Sequence, residues 1–329
     1  MTDGSLCLLK DAPQNEISDM TRVWNLPDVP VLPDDEAFGT YLRRIGFTDT
    51  QYDYANRTFI NAEGEAIESV SARAAVAEIT EESCGKGDFR VMDGYDSLAK
   101  YLAEGLDIRL NTPVSHIDWS ADTVKVTTQS GEILSADQIV IAVPLGVLQS
   151  GTITFSPELP SGKQSAIRNV HMGPGLKMIY RFSQPILPPD IMVLFSNRQA
   201  PMWWSPSFGH DTGETIWTAF ATGDWARNLM ADGDEAALAK GLETLRIELD
   251  KPDLQPEAMQ LVNWTADPYA LGAYSAPIPG YPDARDDIAR PVGRLYWAGE
   301  HTATHGYAST IHGAYVSGQR AANEILSAL

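Results

Sequence analysis

A short apolar strand, a glycine turn and a small-residue helix end the chain, and this segment restricts the fold more than any other. Residues 295–298 are apolar, and Gly299 lets the backbone turn. Ser309 or Thr310 can cap a following helix. From there Ile311, Ala314, Tyr315, Gly318, Ala321, Ala322, Ile325 and Leu326 recur at helical spacing. Ala314, Gly318, Ala321 and Ala322 predict a face that approaches its neighbour closely. A strand that feeds a helix N-terminus through such a turn can hold an anion. The first helical N–H groups lack partners there, and the dipole end is positive. Periodicity alone favours an ordinary C-terminal amphipathic helix.

At 329 residues the chain can bury a sizeable core and is expected to divide into two domains. Its formal net charge of −20 argues against nucleic-acid binding, and it could steer a cationic amine, although solubility accounts for most of it. Cys7 and Cys84 show neither metal spacing nor a disulfide framework, so a reducing, cytoplasmic compartment is expected. Residues 1–13 lack the pattern of a signal peptide, and the longest apolar run, 139–148, is too short to span a bilayer and contains Pro144. No membrane partner is expected.

Residues 1–35 read as loop-rich, with Pro13, Pro27, Pro30 and Pro33. Helices are predicted at 36–45, 71–82 and 97–104, then strands at 107–110, 114–119, 124–128 and 139–143. The last of these is apolar throughout, as in a strand covered on both faces. Beyond Gly151, strands are predicted at 176–182, 192–195, 215–221 and 260–264, with a helix at 235–249. The chain is expected to rejoin the first domain at Gly293.

Gly299, Glu300, His301 and Thr302, then Tyr307, then residues 310–314, then Ser317 and Gly318 form a long, specific pattern. It resembles the flavin-binding C-terminus of the FAD-dependent amine oxidases, the family of monoamine oxidases, polyamine oxidases and flavin-type lysine-specific histone demethylases. Residues 91–95, 103–114 and 142–148 resemble the demethylase and polyamine oxidase branch. The likeness is good from about residue 88 onward and loose before it. It implies a mixed α/β fold: a partial FAD-binding, Rossmann-like domain with an inserted mixed-sheet substrate domain. The expected parts are 1–87 and 151–285 in the substrate domain, with 88–150 and 286–329 in the FAD-binding domain.

A complete member of that family opens on a strand, G-x-G-x-x-G and a helix. Here Gly85 with Gly87, and Gly173 with Gly175, each lack the third glycine and follow no apolar strand. The diphosphate cradle is therefore absent from this sequence. A separate subunit, a fragment and a degenerate flavin-free homologue are the three explanations. Weak or no FAD binding is expected of the chain alone.

Lys177 lies in an alternating strand, where Leu176, Met178, Tyr180 and Phe182 share one face and Lys177, Ile179 and Arg181 the other. A solvated basic face is the usual meaning. The resemblance implies instead the lysine that holds a water near flavin N5 and assists reoxidation by oxygen. Trp264 and Tyr274 bracket Pro268, Tyr269 and Gly272, and either could be a core aromatic. By resemblance Trp264 packs near the isoalloxazine ring and Tyr274 forms one wall of the amine cage. Ala273 stands where monoamine oxidases carry the flavin-linked cysteine, so FAD would be noncovalent. Thr310 stands where many relatives place the second cage tyrosine, with Tyr307 nearby. Gly299 and Glu300, the backbone of Val114, and the Thr310–Ile311 helix start are the other implied flavin contacts. His301 and His305 lie four apart, but no third ligand is evident and no metal is expected.

The expectation is thus the C-terminal, substrate-bearing portion or subunit of an FAD-dependent amine oxidase. It would use O2, act on an amine and need a partner chain for the missing lobe. A non-catalytic, flavin-free binding protein is the alternative. A carbon-oxidising relative such as a phytoene desaturase is disfavoured by the residues around Lys177 and Tyr274.

Overall fold

Alternation decides the largest sheet. Leu176, Met178, Tyr180 and Phe182 are buried, Lys177 and Ile179 half-buried, and Arg181 exposed along strand Gly175–Phe182. In this computed structural model, which describes residues 6–81, 91–210, 215–303 and 306–328, that strand lies second in a five-stranded antiparallel sheet. The order across the sheet is Ala258–Asn263, Gly175–Phe182, Thr215–Thr222, Met202–Trp204 and Val193–Phe195. The register sets Phe220 on one side of Lys177 and Val262 on the other. Helices Gly223–Met230 and Asp234–Glu248 cover the buried face with Ala226, Leu229, Ala237, Leu242 and Leu245.

A second core joins residues far apart in sequence. Ile117, Val124, Ile141 and Leu145 pack with Ile288, Leu295 and Trp297, and Ile153 and Ile167 belong to the same cluster. Its sheets are a four-stranded one, ordered Ile133–Ala136, Val124–Thr128, Val114–Asp118 and Thr154–Ser156, and a parallel pair of Ile139–Ile141 with Leu295–Trp297. That pair brings the end of the chain back beside residues 139–141. Lys163 fastens it. Its ammonium donates to the carbonyls of Asp287 (2.8 Å), Ile288 (2.6 Å) and Arg290 (2.6 Å) and lies 4.8 Å from the Trp297 ring centre.

The third core is helical. Helices Phe38–Arg44, Asp49–Glu63 and Ala72–Thr80 bury Phe38, Tyr41, Leu42, Phe59 and Ala75 around Ile67 and Val70. Ser71 caps the last of them, accepting from the Ala74 N–H at 3.1 Å. Asp49–Glu63 and the short Gln14–Thr21 helix fall where the sequence predicts no element. Their polar-rich surfaces hide the period, and Ala55 and Phe59, one turn apart, anchor the longer one.

Three expectations are corrected, and one choice between two caps is decided. Residues 107–110 form no strand, and Ile108 (54%) and Leu110 (79%) are exposed, because no neighbouring strand pairs with them among the described residues. The 139–143 strand ends at Ile141, and Val140 is 42% exposed, so the described residues do not cover it on both faces. Of the two capping residues the sequence offers, Thr310 serves: its Oγ accepts from the Gly313 N–H at 3.0 Å. That helix, Ile311–Ala328, buries Gly313, Ser317 and Ala321, while Ile311, Tyr315 and Leu326 are exposed. Polar anchors set its rotation. The Gly299 N–H donates to Ser317 Oγ at 2.9 Å, and Arg320 donates to the Trp297 carbonyl (2.8 Å) and to Thr302 Oγ1 (3.0 Å). Satisfying these buried groups outweighs burying the apolar stripe. Cys84, residues 85–87 and His305 lie outside the described residues.

Candidate functional site

Two chain segments are pinned together to make the floor of the site. The Ala273 N–H donates to the Gly173 carbonyl (2.7 Å) and the Gly173 N–H to the Tyr274 carbonyl (2.9 Å). The Gly175 N–H donates to Thr265 Oγ1 at 3.1 Å, and the Gly272 N–H to the Trp264 carbonyl at 3.1 Å. Gly173 also touches the end of helix Asp49–Glu63: a Cβ there would stand 2.2 Å from the Gly64 carbonyl oxygen. Gly173→Ala is therefore expected to cost about 3 kcal/mol, because only backbone could yield. A urea unfolding midpoint equal to wild type would refute this.

Lys177 points from this floor into an aromatic setting. Its ammonium lies 5.6 Å from the Trp204 ring centre and 5.9 Å from that of Phe220. Burial holds its pKa below the usual lysine value. Trp204 and Phe220 meet edge-on at 6.0 Å, and the Phe220 ring lies 6.5 Å from that of Tyr274. Lys177 and Tyr274, distant in sequence, are thus joined through Phe220. Nothing in the sequence singles out Trp204 or Phe220, since the register that brings them to Lys177 comes from strand pairing.

Tyr274 is closed off at its polar end. Its phenol donates to the Asn61 carbonyl, and the Asn61 side-chain oxygen accepts from the Thr222 N–H (3.1 Å) and Thr222 Oγ1 (3.0 Å). Burial, helped by Glu63, raises the phenol pKa. Glu63 is buried, and burial first, then Glu78 and Glu300, pushes its carboxyl up to about 7 against the pull of Arg285. Its Oε2 has no hydrogen-bond partner among the described residues. Asn61 and Glu63 are not legible as site residues, because the helix that carries them is not.

The helix start meets the segment that follows Tyr274, where Ser309 Oγ donates to the Ser275 carbonyl at 2.8 Å. Thr310 donates to the Tyr307 carbonyl at 2.6 Å while accepting from Gly313, so its hydroxyl is occupied by capping. Tyr307 is half-buried with its ring edge-on to His312 at 5.6 Å. Glu300 braces the turn. Its Oε2 accepts from Ser275 Oγ (2.8 Å) and the Ser309 N–H (3.1 Å). Burial raises its pKa, and Arg285 opposes that rise. Gly299 has φ +119°, a conformation glycine favours. Trp264 is 41% exposed and Ile311 58%. Val114 lies apart, in the four-stranded sheet opposite Thr128. His301 is buried, and burial, with Arg285, pulls its pKa down to about 4. Among the described residues no group of three ligands could hold a metal, and no helix is long and apolar enough to cross a membrane.

The family model described as flavin containing amine oxidoreductase matches residues 27–326. This chain belongs to that family. Polyamine oxidase 2 of Arabidopsis thaliana is 34% identical over 74% of this chain and 50% of its own length. The lysine-specific histone demethylase 1B of Mus musculus is 30% identical over 99% of this chain and 42% of its own. The chain thus spans about half the length of these curated relatives or less. Wild-type putrescine oxidase bound to putrescine superposes with a TM-score of 0.79 at 21% identity, covering 96% of this chain and 77% of that one. Cyclohexylamine oxidase from Brevibacterium oxydans gives 0.75 at 16%, covering 97% and 76%. These likenesses establish the mixed α/β fold of the flavin amine oxidases for this chain.

Proposed function

We propose that the chain forms the substrate wall and the flavin-ring end of an amine oxidase of the polyamine oxidase type, with noncovalent FAD. The observation that carries this reading is the half-buried ammonium of Lys177, which makes no ion pair among the described residues and lies among Trp204, Phe220 and, beyond them, Tyr274. The flavin chemistry supplied when the cofactor is bound is oxidation of the carbon next to a neutral amine, giving an imine that water hydrolyses and hydrogen peroxide from O2. The exposed ring of Trp264, the Thr310-capped helix start with Ile311, and the backbone at Gly299 would contact the ring, and Glu300 would brace that contact. Val114 is assigned to the adenine end. Tyr274, whose hydroxyl is committed to Asn61, offers its ring face and orients the amine. Lys177 keeps a positive charge where reduced oxygen would develop negative charge.

The Gly173–Gly175 turn packs on Gly64 and Ala273 and cannot cradle a diphosphate. In this reading a partner chain with a G-x-G-x-x-G unit supplies that cradle. Exposed Val140 on the parallel pair, and Ile311 and Tyr315 on the final helix, support a covering lobe there, as do exposed Tyr101, Leu106 and Leu110.

The test is flavin absorbance and peroxide release from a panel of amines, for the chain alone and with chains that carry such a unit. The expected result is flavin retention and turnover only in combination. A colourless, inert protein in every combination would favour the flavin-free binding protein.

A further inference from the structure

Arg285 is 2% exposed, belongs to no motif, and sits where three segments of the site meet. Its Nε donates to Ser275 Oγ (3.1 Å), and one terminal nitrogen donates to the Ser275 carbonyl and to Ser309 Oγ (3.1 Å). The other terminal nitrogen donates to Glu78 Oε1 at 2.9 Å. The second oxygen of Glu78 accepts from the Gly306 N–H at 2.6 Å. Ser309 Oγ also donates to the Ser275 carbonyl at 2.8 Å, and Glu300 accepts from both serines. Ser275 directly follows Tyr274, and Ser309 directly precedes Thr310. Ser309 itself holds φ +60°, a left-handed backbone that a serine keeps only when its surroundings fix it.

We propose that Arg285 is a positioning residue that fixes the Tyr274 wall against the Thr310 helix start. The assignment rests on the amine-site reading above, in which these two elements face the same reacting pair. A guanidinium suits the task because its planar fork reaches four acceptors on three segments at once, which a lysine cannot. Its positive charge also pulls the carboxyl pKa values of Glu63 and Glu300 down, against the rise that burial causes. The hydrogen bonds of Arg285 go to Ser275, Ser309 and Glu78 rather than to Tyr274 or Thr310, so it acts on those two through their neighbours.

The experiment is hydrogen–deuterium exchange on the purified chain and on Arg285→Gln, Arg285→Lys and Ser309→Ala. In Arg285→Gln, residues 274–276 and 306–311 are expected to gain exchange together, about tenfold or more, while strand Gly175–Phe182 keeps wild-type protection. Arg285→Lys should restore this only in part. Ser309→Ala removes two ties and no charge, and should loosen both segments to a smaller degree. In the flavin-loaded protein Arg285→Gln should lower kcat more than it raises KM, since a misplaced wall costs rate. One segment loosening without the other, or full rescue by lysine, overturns the proposal. If Arg285→Gln does not fold, wild-type exchange in both segments of Ser309→Ala overturns it instead. Coupled exchange in a chain that oxidises no amine in any combination would uphold the positioning role and sink the amine reading alone.

Discussion

Lys177→Met is expected to slow amine-dependent peroxide release by about a hundredfold to a thousandfold while leaving the fold intact. The side chain makes no ion pair among the described residues, and its surroundings are the Trp204 and Phe220 rings. A methionine fills the same space with a polarisable thioether that suits aromatic neighbours, so unfolding free energy should change by less than about 1 kcal/mol. What disappears is the charge. Oxygen accepting electrons in a site of low dielectric develops negative charge, and an ammonium there is worth far more than one in water. The loss should therefore fall on reoxidation and spare the amine-driven half of the cycle. Rapid mixing separates the two halves. Reoxidation at the wild-type rate would remove Lys177 from the chemistry. The pH dependence has a fixed sign: burial lowers this pKa, so the oxidative rate should decline with rising pH earlier than an ordinary lysine would allow.

How much of this site can be read from the sequence depends on whether a signal is local. Strand Gly175–Phe182 obeys period two, so the burial of Leu176, Met178, Tyr180 and Phe182 is legible. Phe220 and Trp204 beside Lys177 are not, because strand register is set by partners distant in sequence. The strand, turn and helix of the C-terminus are legible in kind. The helix's rotation is not, because Ser317 and Arg320 hydrogen bonds choose it over the apolar stripe. The Asp49–Glu63 helix escapes notice because its sequence is mostly polar, and with it go Asn61, which holds the Tyr274 phenol, and Glu63 beside it. Arg285 carries no local signal at all. Its role exists only once Ser275, Ser309 and Glu78 are brought together.

Glu63→Gln is expected to stabilise the protein above pH 7 by about 2–3 kcal/mol and to change nothing below about pH 4.5. Glu63 has a carboxyl raised from 4.5 to about 7 by burial, so between those values the folded chain binds a proton that the unfolded chain has lost. Its contribution to stability is thus present at low pH and drains away as pH rises toward 7. His301 does the opposite. Its pKa falls from 6.5 to about 4, so the unfolded chain binds the extra proton, and stability is lost as pH falls from 6.5 toward 4. Each displacement is worth about 3 kcal/mol at full extent, and over about pH 4.5–6.5 the two slopes oppose one another. For these two groups the wild type should be nearly flat across that window and decline from about 6.5 to 7. The amide of the Glu63→Gln variant is a neutral isostere, equivalent to the protonated acid. With the glutamate gone, only the His301 slope remains, and stability should climb from about pH 4 to 6.5 and then level off. The remaining carboxylates repel one another alike in both proteins, so the difference isolates Glu63. Urea unfolding of both proteins at about pH 4.3 and about pH 7.5 decides the matter. Equal stabilities at the higher pH, or a less stable variant there, would show that Glu63 is held ionised in the folded chain.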